Sequence, residues 1–131
     1  GKGGIGKSTV ATNASVALTE TGRKVFQMGC SPKVDSTSFL NGGRILEYNI
    51  LDRIRKGETD RESFRQCIVK GYKGILLAEA GGPEPASGCA GKGINYALEL
   101  LSKARLLQEF DVDFVIYDVI GDVVCGGFAM P

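Results

Sequence analysis

The sequence predicts an α/β fold in which helices flank a parallel β-sheet on both faces. Apolar residues recur with the short period of strands in some segments and the longer period of helices in others. Alternation of such segments is typical of parallel sheets, because two parallel strands need a long crossover connection that is usually a helix. A glycine-rich loop directly before the first predicted helix indicates the P-loop NTPase type of this fold class.

Helices are predicted at residues 7–21, 50–56, 61–68 and 94–110. The first helix has an apolar face at helical spacing and ends at a glycine, which is typical of a C-terminal cap. That face consists of Val10, Ala14, Ala17 and Leu18. Asn49 and Asp60 precede the two middle helices as N-caps. The last helix has its apolar side at Leu98, Leu101, Ala104 and Leu107.

Strands are predicted at residues 24–28, 74–80 and 113–118, where short apolar runs are bounded by turn residues. The stretch 38–48 has no clear period and predicts no regular element. Two glycine-rich loops are predicted, at 81–93 and at 119–127. Most of the candidate functional residues therefore lie in the connections between helices and strands.

Composition sets broad limits on function. The chain has 131 residues, which is the size of one domain (residues 1–131), and 43% of them are hydrophobic. A net charge of +1 gives no indication of a nucleic-acid partner. The sequence shows no apolar run of about 18 residues and no signal peptide, so the expectation is a cytoplasmic protein without a membrane partner. The absence of histidine excludes histidine-based zinc sites and catalysis.

Residues 1–9 match the P-loop pattern G-x-x-x-x-G-K-[ST]. Glycines allow the backbone N–H groups to approach a phosphate closely, and the following helix directs its positive end at the same anion. The predicted nucleotide-binding residues are Gly1, Lys2, Gly3, Gly4, Ile5, Gly6, Lys7, Ser8 and Thr9. Lys7 is predicted to contact the β- and γ-phosphates, and the Ser8 hydroxyl is predicted to bind Mg²⁺. The alternative is a glycine-rich turn that matches the pattern by chance.

Asp118 is predicted to hold Mg²⁺ opposite Ser8, because it ends a buried strand downstream of the P-loop. Ligands of open parallel sheets bind at those strand ends. Asp35 follows the first predicted strand and Asp122 lies four residues after Asp118, so either could approach the γ-phosphate. For all three aspartates an ordinary solvated or strand-terminating carboxylate is the alternative.

Cys89 and Cys125 each lie in a predicted glycine-rich loop. Small neighbours allow backbone N–H groups to approach the sulfurs of an iron–sulfur cluster. Two thiolates do not complete a cluster that usually takes four, but a symmetric dimer would supply two from each chain. The alternative is small buried cysteines, an interpretation that suits Cys30 and Cys67 better.

Several segments together resemble the iron protein of nitrogenase, also called dinitrogenase reductase. They are residues 1–9, 29–37, 81–85, 88–91 and 117–131, and the resemblance spans the chain with 38–73 as its loosest part. It covers about the N-terminal half of a family member. The chain is therefore expected to be an internal piece that lacks the first strand and the C-terminal half.

The resemblance implies a homodimer with one [4Fe-4S] cluster bridged between the subunits by Cys89 and Cys125 of each chain. It implies MgATP in each P-loop, with Lys2 reaching the nucleotide of the other subunit. Asp35 corresponds to the first nucleotide switch, and Asp118 and Asp122 to the second. The implied function is ATP-gated transfer of single electrons from the cluster to a molybdenum-iron-type partner that reduces N₂, with a ferredoxin or flavodoxin as electron donor.

Two alternatives stay open at this stage. A related reductase of tetrapyrrole biosynthesis, acting on protochlorophyllide or a nickel tetrapyrrole, shares these motifs. A dimeric partitioning-type ATPase shares the Lys2-bearing loop but needs neither Cys89 nor Cys125. The family usually has Asp where this chain has Ser31, so whether Ser31 impairs hydrolysis is a question for experiment.

Overall fold

The computed structural model describes residues 5–30, 37–81, 99–119 and 122–127, with the backbone alone at 5–9, 30, 119 and 122–127. The helices are α1 (Ile5–Glu20), α2 (Ile50–Arg55), α3 (Arg61–Cys67) and α4 (Leu106–Glu109). The strands are β1 (Val25–Cys30), β2 (Val69–Lys70), β3 (Leu76–Glu79), β4 (Phe114–Val119) and β5 (Asp122–Gly127). Ser38–Leu40 and Tyr72–Gly74 form short 3₁₀ helices.

The strands form one sheet in the order β2-β3-β1-β4-β5. Strand β1 pairs in parallel with β3 and with β4, which confirms a parallel sheet for the three central strands. The edge strands β2 and β5 are antiparallel to their neighbours, so the sheet as a whole is mixed. Antiparallel edges are common on parallel sheets, because a short turn can add such a strand without a crossover.

Strand β5 corrects the loop predicted at 119–127. Its register with β4 runs from Val119↔Asp122 to Phe114↔Gly127, so only residues 120 and 121 separate the two strands. Val123 and Val124 are β-branched, and such residues favour strands. The three glycines and Asp122 favoured a loop in the sequence prediction. In the structure, pairing with β4 satisfies the backbone N–H and C=O groups of this stretch.

Helices cover both faces of the sheet, as predicted. On one face, α1 packs on a cluster that includes Val25, Ile75, Leu77 and Ile116. On the other face, α2, α3 and residues 99–107 pack on a cluster that includes Phe26, Met28, Ala78 and Val115. Each central strand is therefore buried on both sides, which explains its nearly continuous apolar sequence.

The buried face of α1 differs in part from the predicted one: Ala14 and Leu18 pack on the core as predicted, whereas Val10 and Ala17 do not. Val10 is exposed, whereas Ala11 and Ser15 are completely buried. The Ser15 hydroxyl donates a hydrogen bond of 2.7 Å to the Gln27 side-chain oxygen on β1. The small side chains of Ala11 and Ser15 allow the helix to approach the sheet closely, so shape and hydrogen bonding outweigh the hydrophobicity of Val10.

Both predicted N-caps are confirmed. The Asn49 side-chain oxygen accepts a hydrogen bond of 2.8 Å from the Asp52 amide at the start of α2. Asp60 accepts hydrogen bonds from the hydroxyl and the amide of Ser63 at the start of α3. These bonds lower the pKa of the Asp60 carboxyl. The stabilisation from ionised Asp60 is therefore complete above its unfolded-state pKa and is lost as the pH falls through the lowered value.

Replacement of the Asn49 cap is expected to destabilise the protein. Asn49→Ala leaves the first amides of α2 without their side-chain acceptor, so the free energy of unfolding should fall by about 1 kcal/mol. Asn49→Asp keeps an acceptor and should restore most of that loss. Chemical denaturation measures the difference, with Asn13→Ala on the exposed face of α1 as the matched control. Equal losses in Asn49→Ala and Asn13→Ala would contradict the capping role.

The last predicted helix is interrupted within its described part. Residues 99–103 are helical, and α4 begins again at Leu106 after Arg105, whose φ of 59° is left-handed. Leu101 and Leu107 are buried as predicted, while 94–98 lie outside the described residues. Glu109 of α4 binds both Arg61 and Arg65, which fixes this region against α3.

Across the described ranges, every helix is too short or too polar to cross a membrane.

Candidate nucleotide and cluster site

Helix α1 begins at Ile5, directly after the glycines of the P-loop pattern. Lys7, Ser8 and Thr9 therefore lie in the first turns of a helix of 16 residues. Gly1, Lys2, Gly3 and Gly4 lie outside the described residues. A long helix whose first turn carries the lysine and hydroxyl residues provides the N-terminal dipole and free backbone N–H groups that an anion requires.

The N-terminus of α1 lies at the end of the sheet where the parallel strands finish. Helix α1 and strand β1 are joined by the short connection 21–24 and pack side by side through Ser15 and Gln27. They therefore run in opposite directions, so the start of α1 is near the end of β1. The two elements also have similar lengths, because the 16 residues of α1 span about 24 Å and the six residues of β1 about 20 Å.

Asp118 lies at this same end and on the same face. In the register of the sheet, Gly29 of β1 is opposite Asp118 of β4. Two residues earlier, Gln27 is opposite Ile116, and both belong to the face that packs on α1. Because side chains alternate along a strand, Asp118 also faces α1. It is 5% exposed, as expected of a carboxylate enclosed by the fold rather than a solvated strand end.

A second buried carboxylate occupies the same row of the sheet. Glu79 of β3 is also opposite Gly29, on the other side of β1, and it is completely buried. The Cα atoms of Glu79 and Asp118 are two strand spacings apart, about 9.5 Å. Gly29 has no side chain, so β1 places nothing between the two carboxyl groups. Carboxylate oxygens are donors of the kind that a hydrated divalent cation binds.

The prediction from sequence missed Glu79. Its Oε2 accepts hydrogen bonds of 2.8 Å from both the amide and the hydroxyl of Thr37. The available signal was an acidic residue in an otherwise apolar run, because a buried carboxylate needs specific partners.

Asp122 and Cys125 lie on β5 rather than in a loop. Asp122 begins the strand opposite Val119, and Cys125 is opposite Ile116. Strand β5 is at the edge of the sheet, and among the described residues it pairs only with β4. An edge strand can be approached by a second chain.

The remaining predicted site residues, Asp35 and Cys89, lie outside the described residues, as does Ser31. Within the described ranges, no three Cys, Asp or Glu side chains come together in a way that could hold a metal ion. A cluster on Cys125 would therefore need ligands from Cys89, from a second chain, or from both.

A cavity of about 350 Å³ lies at the opposite end of the sheet, where the parallel strands begin. Lys24, Lys70 and Lys73 are among its lining residues. Two of these lysines have exposed acidic neighbours, Asp111 at 3.9 Å from Lys24 and Glu20 at 4.0 Å from Lys73. Exposed ion pairs of this kind are ordinary surface features. Because the cavity lies at the other end of the sheet, it is separate from the candidate site.

Cys67 belongs to the core. It is 1% exposed, packs among α2, α3 and the sheet, and its thiol donates a hydrogen bond of 3.6 Å to the Ser63 carbonyl. Burial raises the pKa of the Cys67 thiol. A buried thiol with a raised pKa is a poor nucleophile and a poor metal ligand.

Alkylation should identify Cys67 as an inert thiol. With iodoacetamide at pH 8, we expect Cys67 in the folded protein to react at least about tenfold more slowly than in the protein unfolded by guanidinium. The alkylation rate should also begin to rise at a higher pH in the folded protein than in the unfolded protein, because burial raises the pKa of the Cys67 thiol. Peptide mass spectrometry separates Cys67 from the other cysteines. Equal rates in the folded and unfolded protein would contradict its buried position.

The whole chain, residues 1–131, matches the family described as 4Fe-4S iron sulfur cluster binding proteins, NifH/frxC family. It is 51% identical over 131 residues to nitrogenase iron protein 2 of Paenibacillus durus and 52% identical to the nitrogenase iron protein of Methanospirillum hungatei. These alignments cover the full chain but 44% and 45% of the relatives. The chain thus spans slightly less than half of the length of these relatives.

A solved structure shares the fold. Cobyrinic acid a,c-diamide synthase from Mycobacterium smegmatis, determined with bound ADP and magnesium, aligns with a TM-score of 0.56 and 26% identity. The alignment covers 89% of this chain and 46% of the synthase. The likeness supports the P-loop type of α/β fold, and the match over the complete sequence establishes the relationship: this chain belongs to the NifH/frxC family of 4Fe-4S iron–sulfur cluster-binding proteins.

Proposed function

We propose that this chain is the nucleotide-binding and cluster-binding part of a nitrogenase-type reductase, which uses MgATP to gate one-electron transfer. The observation that carries the proposal is the family match over all 131 residues. Its support in the fold is a helix that starts at the P-loop and the buried Asp118 at the neighbouring strand end. These two features would bring a phosphate site and a cation ligand to one end of the sheet.

On the nucleotide side, the backbone N–H groups of Gly1 to Gly6 and the first turn of α1 would bind the phosphates. Lys7 would neutralise their charge, and Ser8 and Asp118 would hold Mg²⁺. Their functions are to bind and orient, because little else is required of a protein in phosphoryl transfer. Asp35 and Asp122 would respond to the γ-phosphate or position water.

On the redox side, Cys89 and Cys125 would each supply a thiolate to a [4Fe-4S] cluster. Two copies of the chain would provide four thiolates, so one cluster per homodimer follows. The cluster, when bound, supplies one-electron chemistry at low potential. Lys2 would reach the nucleotide of the other subunit, which makes nucleotide binding sensitive to how the two chains are arranged.

Nucleotide and cluster would be connected along the chain by the segment from Asp118 to Cys125. In the structure this segment is the end of β4, residues 120–121 and the start of β5. MgATP would favour one arrangement of the dimer and ADP another, which is a shift of populations. The electron donor would be a ferredoxin or flavodoxin, and the acceptor a molybdenum-iron-type component that reduces N₂.

The names of the two relatives, both nitrogenase iron proteins, favour this acceptor over a tetrapyrrole. The family description, which specifies a 4Fe-4S cluster, favours a redox protein over a partitioning ATPase.

Anaerobic reconstitution tests the proposal. The full-length protein that carries this sequence is incubated with iron and sulfide, and iron content, absorbance and electron spin resonance of the reduced form are measured. We expect about four irons per dimer, the content of one [4Fe-4S] cluster, and a spectrum that changes on addition of MgATP. A stable dimer without a cluster signal would overturn the redox function. Measurement of ATP hydrolysis with the partner component then determines whether Ser31 permits turnover.

A further inference from the structure

Glu79 is a charged side chain that the proposed function does not use. It is completely buried at the end of β3, in the same row as Asp118. Burial of a carboxylate costs free energy unless it is compensated by strong hydrogen bonds. An apolar residue would fill this position without that cost, so the glutamate is expected to have a specific role.

The contacts of Glu79 indicate what it holds. One carboxyl oxygen accepts hydrogen bonds from the amide and the hydroxyl of Thr37, each 2.8 Å long. The two residues are 42 positions apart in sequence. Thr37 is itself completely buried. The two bonds fix both the backbone and the side-chain rotamer of Thr37, because one donor belongs to each.

Thr37 directly follows residues 31–36, which include Asp35. Glu79 therefore anchors the C-terminal end of the segment that is proposed to contact the nucleotide. Strand β1 fixes the N-terminal end of the same segment, because Cys30 is the last residue of β1. The strand that holds Glu79 is the immediate neighbour of β1 in the sheet.

The chain after Glu79 is hydrogen-bonded to β1 and to α2. The Ala80 amide donates to the Gly29 carbonyl at 2.8 Å, and the Ala80 carbonyl accepts from the Leu51 amide of α2 at 3.0 Å. Gly81 has a φ of +88°, and a Cβ there would lie 2.9 Å from the Asn49 side-chain oxygen. A side chain at Gly81 would be strained at this φ and would require Asn49 to shift, so glycine suits the position that follows Ala80.

We propose that Glu79 is a positioning residue that joins the nucleotide segment, through Thr37, to the strand end that leads to Cys89. A displacement of residues 31–36 on nucleotide exchange must then either break two hydrogen bonds to a buried carboxylate or move the end of β3 with it. The second response would carry the displacement of residues 31–36 to the end of β3. This gives the cluster a second connection to the nucleotide, besides the one from Asp118 to Cys125.

The inference rests on the proposed function, since it requires both a nucleotide and a cluster. Three variants separate the effect of the hydrogen bonds from the effect of the Glu79 charge. Thr37→Val removes the hydroxyl donor with almost no change in shape, while Thr37→Ser retains it. Glu79→Gln retains an oxygen that can accept both bonds but removes the negative charge.

Hydrogen exchange followed by mass spectrometry tests the connection in the reconstituted full-length dimer. Exchange is measured in peptides that cover 31–40 and 82–98, with MgATP and with MgADP. In the parent protein both peptides should differ between the nucleotides. In Thr37→Val the difference in 31–40 should persist, while the difference in 82–98 should shrink about fivefold or more, the low end of ordinary coupling between two sites. Thr37→Ser should restore it, and Glu79→Gln should give an intermediate value.

Other results overturn the inference in distinguishable ways. Equal nucleotide differences in 82–98 for the parent, Thr37→Val and Glu79→Gln would show that Glu79 serves stability alone. A melting temperature lowered to the same extent in Thr37→Val and Thr37→Ser, without rescue of the exchange difference by Thr37→Ser, would lead to the same conclusion. If the parent protein itself binds no cluster or shows no difference in 31–40, the proposed function fails, and the connection fails with it.

Discussion

Replacement of Cys125 by alanine should abolish the [4Fe-4S] signal of the full-length dimer. A bridging cluster takes four thiolates, so loss of Cys125 from both subunits leaves only the two Cys89 thiolates. Iron bound after reconstitution should fall to the level of a protein to which no sulfide was added. Cys67→Ala is the matched control, because Cys67 is a buried core thiol that lies between α3 and the sheet. It should keep the full iron content.

Iron analysis and electron spin resonance of the reduced protein provide the measurement. The pair of variants also separates ligand loss from misfolding. Cys67→Ala removes a core side chain and should lower the melting temperature, yet the cluster should assemble. A normal cluster in Cys125→Ala would contradict the assignment of this residue. If Cys67→Ala lost the cluster while the dimer stayed intact, Cys67 would itself be a cluster ligand. That result would contradict its assignment as a buried core thiol.

Asp118→Asn should lower MgATP-dependent turnover on the order of 100-fold, the size of effect that loss of one group stabilising transition-state charge has in other enzymes. Asparagine has almost the same shape as aspartate, so packing against α1 should be preserved. The substitution removes the negative charge that a Mg²⁺ ligand supplies at the end of β4. Nucleotide binding without Mg²⁺ should change little, since the P-loop backbone and Lys7 are intact.

Asp111→Asn is the matched control. The Asp111 side chain is 80% exposed, and its φ of 56° is one that asparagine adopts readily. Turnover of this variant should equal that of the parent protein. The measurement is ATP hydrolysis by the reductase with its partner component over a range of Mg²⁺ concentrations. If Asp118→Asn keeps the parent's Mg²⁺ dependence and only melts at a lower temperature, Asp118 stabilises the fold and does not hold the ion.

Local features of the fold could be predicted well from the sequence. Asn49 and Asp60 cap their helices as predicted, because a capping bond joins residues only three positions apart. The central strands were recognisable because burial on both faces requires a continuous apolar run. The placement of Asp118 at a strand end, facing α1, follows from the same run and from the alternation of side chains.

Features that depend on contacts between distant segments could not be predicted in this way. Periodicity suggested that Val10 faces the core, but the approach of α1 to β1 selects Ala11 and Ser15 instead. Residues 122–127 form a strand because β4 offers them an open edge, a fact that no local pattern contains. Arg105 interrupts a helical period that continues through it in the sequence.

The sequence by itself determined the family, the P-loop, the candidate ligands Cys89 and Cys125, and the helix caps, because each is encoded in residues close together or in motifs with defined spacing. The tertiary structure alone decided that Glu79 and Asp118 lie in one row on either side of Gly29, and that Glu79 binds Thr37. The reason is physical. The register of three strands that are distant in sequence brings these residues together, and register is set by the packing of the whole sheet.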